Sequence, residues 1–103
     1  MFLGRGPLAL KCFNVLTWHS SNLRIKSVVT RDDIKEKWLC NLPEAHTNFI
    51  SNSLRNETEI ISKIKNLKIN VLLAVQHPWI LSENVLNAVE GHTFNLHNAK
   101  LPE

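Results

Sequence analysis

A chain of 103 residues with 44% hydrophobic and 20% charged residues has the size and composition of one small globular domain, 1–103, not of a disordered tail. No apolar run approaches the roughly 18 residues that span a bilayer, so no membrane partner is expected. The net charge of +3 comes from 7 basic and 4 acidic residues up to Asn52 and 5 of each beyond it. No Lys/Arg block interleaves with aromatics, so the charge points to an anionic small molecule more than to RNA.

Met1–Leu3 reads as the end of a first strand. Arg5 and Lys11 interrupt the apolar start and no small-residue cleavage site follows, so a secretory signal is not expected. Gly4-Arg5-Gly6 turns the chain, and Pro7 suits the first position of a helix because its missing N–H costs nothing there. That helix is predicted over Pro7–Trp18, with Leu8, Cys12, Val15 and Leu16 as its apolar face. Cys12 and Cys40, 28 positions apart in apolar surroundings, read as buried reduced thiols of a cytoplasmic protein.

Gly4-x-Gly6 between a strand and a helix admits three readings. It can be a plain tight turn, a helix N-terminus that receives an anion, or the start of a dinucleotide fingerprint. In the last case Ala9 stands in the third-glycine slot, and the acidic residue sits late, at Asp32.

Leu23–Thr30 is β-rich and partly alternating, a second strand. Arg31-Asp32-Asp33 offers capping oxygens to a short helix carrying Ile34, Trp38 and Leu39. Asn41-Leu42-Pro43 breaks it, and Pro43–His46 starts a further turn. Phe49-Ile50 is a short third strand, with Ser51-Asn52-Ser53 as a polar loop. Asn56-x-x-Glu59 resembles a capping box, opening a helix whose apolar face is Ile60, Ile61, Ile64 and Leu67. Lys63, Lys65 and Lys68 read as a solvated face.

Val71–Val75 is a continuous apolar run, as in a central parallel strand. The Gln76–Leu81 loop follows, then a short helix capped by Ser82 and ended by Gly91 in the left-handed conformation. Thr93–His97 is the last strand. The alternation of strands and helices predicts an α/β fold: a Rossmann-like doubly wound, mostly parallel sheet of about five strands. Strand order 3-2-1-4-5 brings the Gly4–Gly6 turn, the Gln76–Leu81 loop and the last strand to one carboxyl edge, where such sheets bind ligands.

Asn95 and His97, two positions apart, share one face of the last strand. An amide donor beside a titratable ring is the least that polarising a carbonyl and moving a proton require. Taken alone, the pair also fits an ordinary polar strand end. The string Asn95-Leu96-His97-x-x-x-Leu101-Pro102 resembles the catalytic strand of the folate-dependent formyltransferases. That group includes methionyl-tRNA, glycinamide-ribonucleotide and nucleotide-sugar N-formyltransferases. Phe2-Leu3-Gly4-x-Gly6-Pro7-Leu8-Ala9-Leu10-Lys11 is similar to the opening of such domains, chiefly those acting on nucleotide sugars.

The resemblance implies transfer of a formyl group from 10-formyltetrahydrofolate to a primary amine. A nucleotide-linked amino-sugar is the first expected acceptor. Methionyl-tRNA is the alternative, and nucleic acid is a partner only in that case. It implies Asn95 and His97 as catalytic residues and Trp79, Ile80 and Leu81 as folate contacts, with Gly4 and Gly6 left as candidates on the acceptor side. The family's partner Asp falls beyond Glu103, so the expectation is a first portion of a catalytic domain. Little turnover is then expected of it, and self-association through an exposed sheet edge. The non-enzymatic alternative is a Rossmann-like module that binds a nucleotide or folate without chemistry.

Overall fold

The computed structural model describes residues 1–19 and 22–96. Its strands are β1 (Phe2–Gly4), β2 (Val28–Thr30), β3 (Ile50–Ser51), β4 (Val71–Val75) and β5 (His92–Leu96). Its helices are α1 (Gly6–His19), α2 (Lys35–Leu39), α3 (Pro43–Thr47), α4 (Glu57–Asn66) and α5 (Glu83–Ala88), with a 3-10 turn at Asp32–Ile34. The strands form one sheet in the order β3-β2-β1-β4-β5, and every described pair is parallel. The α/β class and the strand order are those the sequence predicts.

Alternation along the strands divides the core in two. Leu3, Val29, Leu72 and Ala74 face Ile60 and Ile64 of α4 and Val85 of α5. Phe2, Val28 and Val75 face Ala9 and Phe13 of α1, Trp38 and Leu39 of α2, and Ala45 of α3. The rings of Phe2, Phe13 and Trp38 meet at centroid distances of 5.3, 6.0 and 5.3 Å. Such pairs contribute about 0.5–1.5 kcal/mol each beyond their burial.

Several local expectations are corrected. The buried face of α1 is Ala9 and Phe13 with Leu10, Cys12 and Leu16 beside them, while Leu8 and Val15 are exposed. The cause lies at Gly4. A Cβ there would stand 3.0 Å from the Ala9 Cβ, so the helix is rotated to lay Ala9, its one alanine, on β1. Cys40 is exposed and Cys12 half-buried, so the thiols are not both core groups. Strand β2 is shorter than Leu23–Thr30, starting at Val28; just before it, Ser27 Oγ donates to Asn48 O at 2.6 Å and Lys26 Nζ to Leu67 O at 3.0 Å.

Asp32 and Asp33 cap no helix, and Asp33 instead pairs with Arg31 at 2.6 Å. Asn56 does not form a capping box. It is left-handed (φ 50°), and its side chain donates to Ser51 O at 2.7 Å, tying α4 to the end of β3. Lys63 is not simply solvated, since its Nζ donates to Asn48 Oδ1 at 2.9 Å. Lys68, also left-handed (φ 54°), follows the C-cap of α4. The Ser82 cap forms as expected, Oγ accepting from Val85 N at 3.3 Å. Gly91, however, is not left-handed. It is glycine because a Cβ there would drive into the Asn70 carbonyl.

Candidate functional site at the carboxyl edge of the sheet

Strand β1 ends at Gly4, where a Cβ would collide with the Val75 carbonyl of β4. Gly6, at φ +89°, then turns the chain into α1, a conformation that L side chains resist. Beside it β4 ends on Gln76, itself left-handed at φ 56°. Gln76 N donates to Leu96 O at 3.0 Å, and its Oε1 would lie 3.5 Å from a Cβ on Gly6. The turn after β1, the end of β4 and the end of β5 therefore meet.

Asn95 arrives at this edge in register with Ala74 of β4, one residue before the end of β5. His97 lies outside the described residues. The shared face of the two thus has one described member, Asn95.

Of the three folate-contact candidates, Ile80 is 80% exposed, Trp79 is half-buried, and Leu81 packs partly buried against the α4–α5 side of the core. Trp79 is anchored rather than a free wall. Its Nε1 donates to Asn52 O at 3.0 Å, which ties the loop after β4 to the loop after β3, and the Arg55 guanidinium lies 5.7 Å over its ring. No backbone N–H of Trp79, Ile80 or Leu81 is committed to a backbone carbonyl among the described residues. A loop with apolar side chains and uncommitted donors suits a flat heterocycle with a polar edge. The candidate residues therefore fit a folate ring chemically.

His77 is buried, at 9% exposure, and its Nδ1 has no hydrogen-bond partner among the described residues. Burial, with the Arg5 charge adding to it, lowers its pKa to about 4, so the ring is neutral at pH 7. Two more buried polar atoms without described partners lie along the same edge: Thr30 Oγ1, at the end of β2, and Asn52 Nδ2, just past β3. Sequence reasoning passed over Thr30, Asn52, Arg5 and Arg55. For Thr30 and Asn52 part of the signal was available, since one is a polar residue closing a short parallel strand and the other follows directly on one.

A groove of about 530 Å³ lies at the opposite end of the sheet, lined by Phe2, Leu16, Leu23, Ile25, Leu73 and Phe94 among others. Its polar groups are partly engaged, Lys26 with Leu67 O and Arg24 with Glu44. Among the described residues, the three buried polar side-chain atoms without partners lie at the carboxyl edge. No group of three or more metal-ligating side chains gathers among the described residues. No helix among them is long and apolar enough to cross a membrane.

The chain is 30% identical over 108 aligned positions to a methionyl-tRNA formyltransferase from Blochmanniella floridana. The match covers 98% of this chain and 33% of the relative, so the chain spans about a third of that protein's length. The similarity supports a relationship to the formyltransferases. No family profile matches the chain, and no solved structure matches it.

Proposed function

We propose that the chain belongs to the folate-dependent formyltransferases and contributes to moving a formyl group from 10-formyltetrahydrofolate to a primary amine. The observation that supports this most directly is the placement of Asn95. It stands at the carboxyl end of β5, beside the β4 strand that delivers Trp79–Leu81, in a chain similar along its length to such an enzyme. The amine nitrogen attacks the formyl carbon, the carbon–nitrogen bond to the folate breaks, and the proton lost by the amine ends on the folate nitrogen. Negative charge gathers on the formyl oxygen in between. The Asn95 amide donates to that oxygen, and His97 relays the proton or shares in the stabilisation. Trp79, Ile80 and Leu81 hold the folate ring, and Gly6 lets the acceptor approach the backbone after β1, whereas Gly4 is closed off by the Val75 carbonyl and only shapes the turn.

A nucleotide-linked amino-sugar is the acceptor we favour, on the likeness of the Phe2–Lys11 segment to domains acting on such substrates. Methionyl-tRNA is a second reading, favoured by the similarity to a methionyl-tRNA formyltransferase. Binding of 5-formyltetrahydrofolate, an unreactive analogue of the donor, is the first test. Saturable binding that perturbs the amide signals of Trp79–Leu81 is expected, and its absence would defeat the proposal. Where turnover is measurable, Asn95→Ala should lower it by about 10²–10³ with folate binding kept. Formylation of methionyl-tRNA but not of an amino-sugar nucleotide would select the second reading.

A further inference from the structure

The groove at the amino end of the sheet, about 530 Å³, falls within the roughly 300–1,000 Å³ of small-molecule sites. Its floor is the sheet face that carries Phe2 and Leu73. These two are in register across β1 and β4, and Phe94 of β5 is in register with Leu73 on the same face. Leu16 of α1 and the Leu23 and Ile25 side chains form a wall. Helices α4 and α5 pack against the other face of the sheet. Phe94 is left 53% exposed and Leu23 45%. Parallel sheets are covered on both faces, so an apolar stretch left open here calls for something to lie on it.

Charge says what that is. Lys26 Nζ donates to Leu67 O at 3.0 Å, which sets its ammonium against the peptide leading into Lys68. An ammonium carries three donors, so this bond leaves Lys26 with donors to spare. Lys68, exposed and held left-handed at φ 54°, forms no ion pair among the described residues. Both lysines line the groove, and no Asp or Glu does so among the described residues. Arg24 also lines it but is already matched by Glu44 at 2.8 Å. The unmatched cations therefore sit together, with the apolar floor beside them. That arrangement fits one anionic head on one apolar tail. A helix from a protein partner would need cations spaced along the groove to meet its acids.

We propose that this groove binds a free medium-chain fatty carboxylate, its head between Lys26 and Lys68 and its hydrocarbon chain along Leu73 and Phe94. The head makes charge-assisted hydrogen bonds to the two ammoniums. The tail removes the Phe94 ring and the Leu23 side chain from water. The site lies at the opposite end of the sheet from the Trp79–Leu81 loop and does not rest on formyl transfer.

The test titrates the full chain with decanoate, below its micelle concentration, by calorimetry and by amide chemical shifts. Saturable binding is expected, moving the amide signals of Ile25, Val71 and Phe94 and leaving those of Trp79–Leu81 in place. Octanoate, two methylenes shorter, should bind about tenfold more weakly. Decanol, which lacks the charge, should lose about tenfold as well, and so should decanoate with Lys68→Met. Phe94→Ser should also weaken decanoate, and both variants should melt near the parent temperature because both side chains are exposed. Binding that does not saturate, or that leaves the groove amides unmoved, overturns the proposal. So does decanol binding as tightly as decanoate, or decanoate affinity unchanged in both variants. If diluting the chain alone moves the same amides, a second copy occupies the groove and the proposal falls. Sedimentation with phosphatidylglycerol vesicles that decanoate does not reverse would assign the groove to a lipid surface, and that too defeats it.

Discussion

Gly4 and Gly91 each lie against a neighbouring backbone carbonyl, Val75 and Asn70 respectively, while Gly6 is set apart by its positive φ. The two situations differ in cost. Gly4→Ala and Gly91→Ala force backbone apart at the two seams that position β4, and each should destabilise by about 3 kcal/mol or more. Gly6→Ala meets only the end of the Gln76 side chain and should cost about 1 kcal/mol of left-handed strain. Urea denaturation of the three variants gives that ranking. His77 supplies a pH dependence. Its folded pKa of about 4 lies below the ordinary 6.5, so between those values the unfolded chain binds the extra proton. Stability should therefore be full above pH 6.5 and decline as pH falls toward 4, by at most about 3 kcal/mol from this group. Melting curves of the parent and His77→Gln across that range should converge in slope only above pH 6.5. At this scale the sequence was a partial guide. It pointed to the Gly4–Gly6 turn, but the carbonyl contact that requires glycine at Gly91 comes from a strand neighbour distant in sequence.

Among the elements, α1 shows how tertiary contact overrides a helical pattern. Leu8, Cys12, Val15 and Leu16 have the spacing of an apolar stripe, and Ala9 and Phe13 have the same spacing one step round the helix. Composition cannot choose between the stripes, since Leu and Val are as apolar as Phe. The close approach of Gly4 to Ala9 chooses. Phe13→Ala should accordingly cost about 3–5 kcal/mol, as for a fully buried ring, whereas Val15→Ala, at 56% exposure, should stay within about 0.5 kcal/mol. Chemical denaturation separates the two at once, and equal losses would show that the stripe predicted from spacing is the packed one. The caps follow a similar logic. Ser82 caps α5 because nothing else competes for its hydroxyl, while the Asn56 amide finds the free carbonyl of Ser51 and leaves its helix uncapped.

For the whole molecule, strand order and parallel pairing were legible because they depend on coarse features: apolar runs of strand length separated by helical periodicity. The candidate site was legible to the extent that topology alone gathers it. Asn95 and the Trp79–Leu81 loop reach the same edge whatever their rotamers. Of Thr30, Asn52 and His77 the sequence shows only that polar residues stand at strand ends; which of them is sealed and which is wet is decided by packing that no sequence pattern records.

The uniform parallel pairing also sets how the chain must reach its native state. No two neighbouring strands are joined by a hairpin, and the central pair of β1 and β4 brings together Phe2 and Leu73. Most of the chain must thus be ordered into a closed loop before that pairing returns any free energy, and loop closure is an entropic cost met in advance. Refolding from urea should consequently be slow for a domain of this size, in milliseconds to seconds. Stopped-flow fluorescence, with Trp38 inside the aromatic cluster as its natural reporter, measures it directly. A chain that refolded in microseconds would have to be assembling by local contacts that this sheet does not contain.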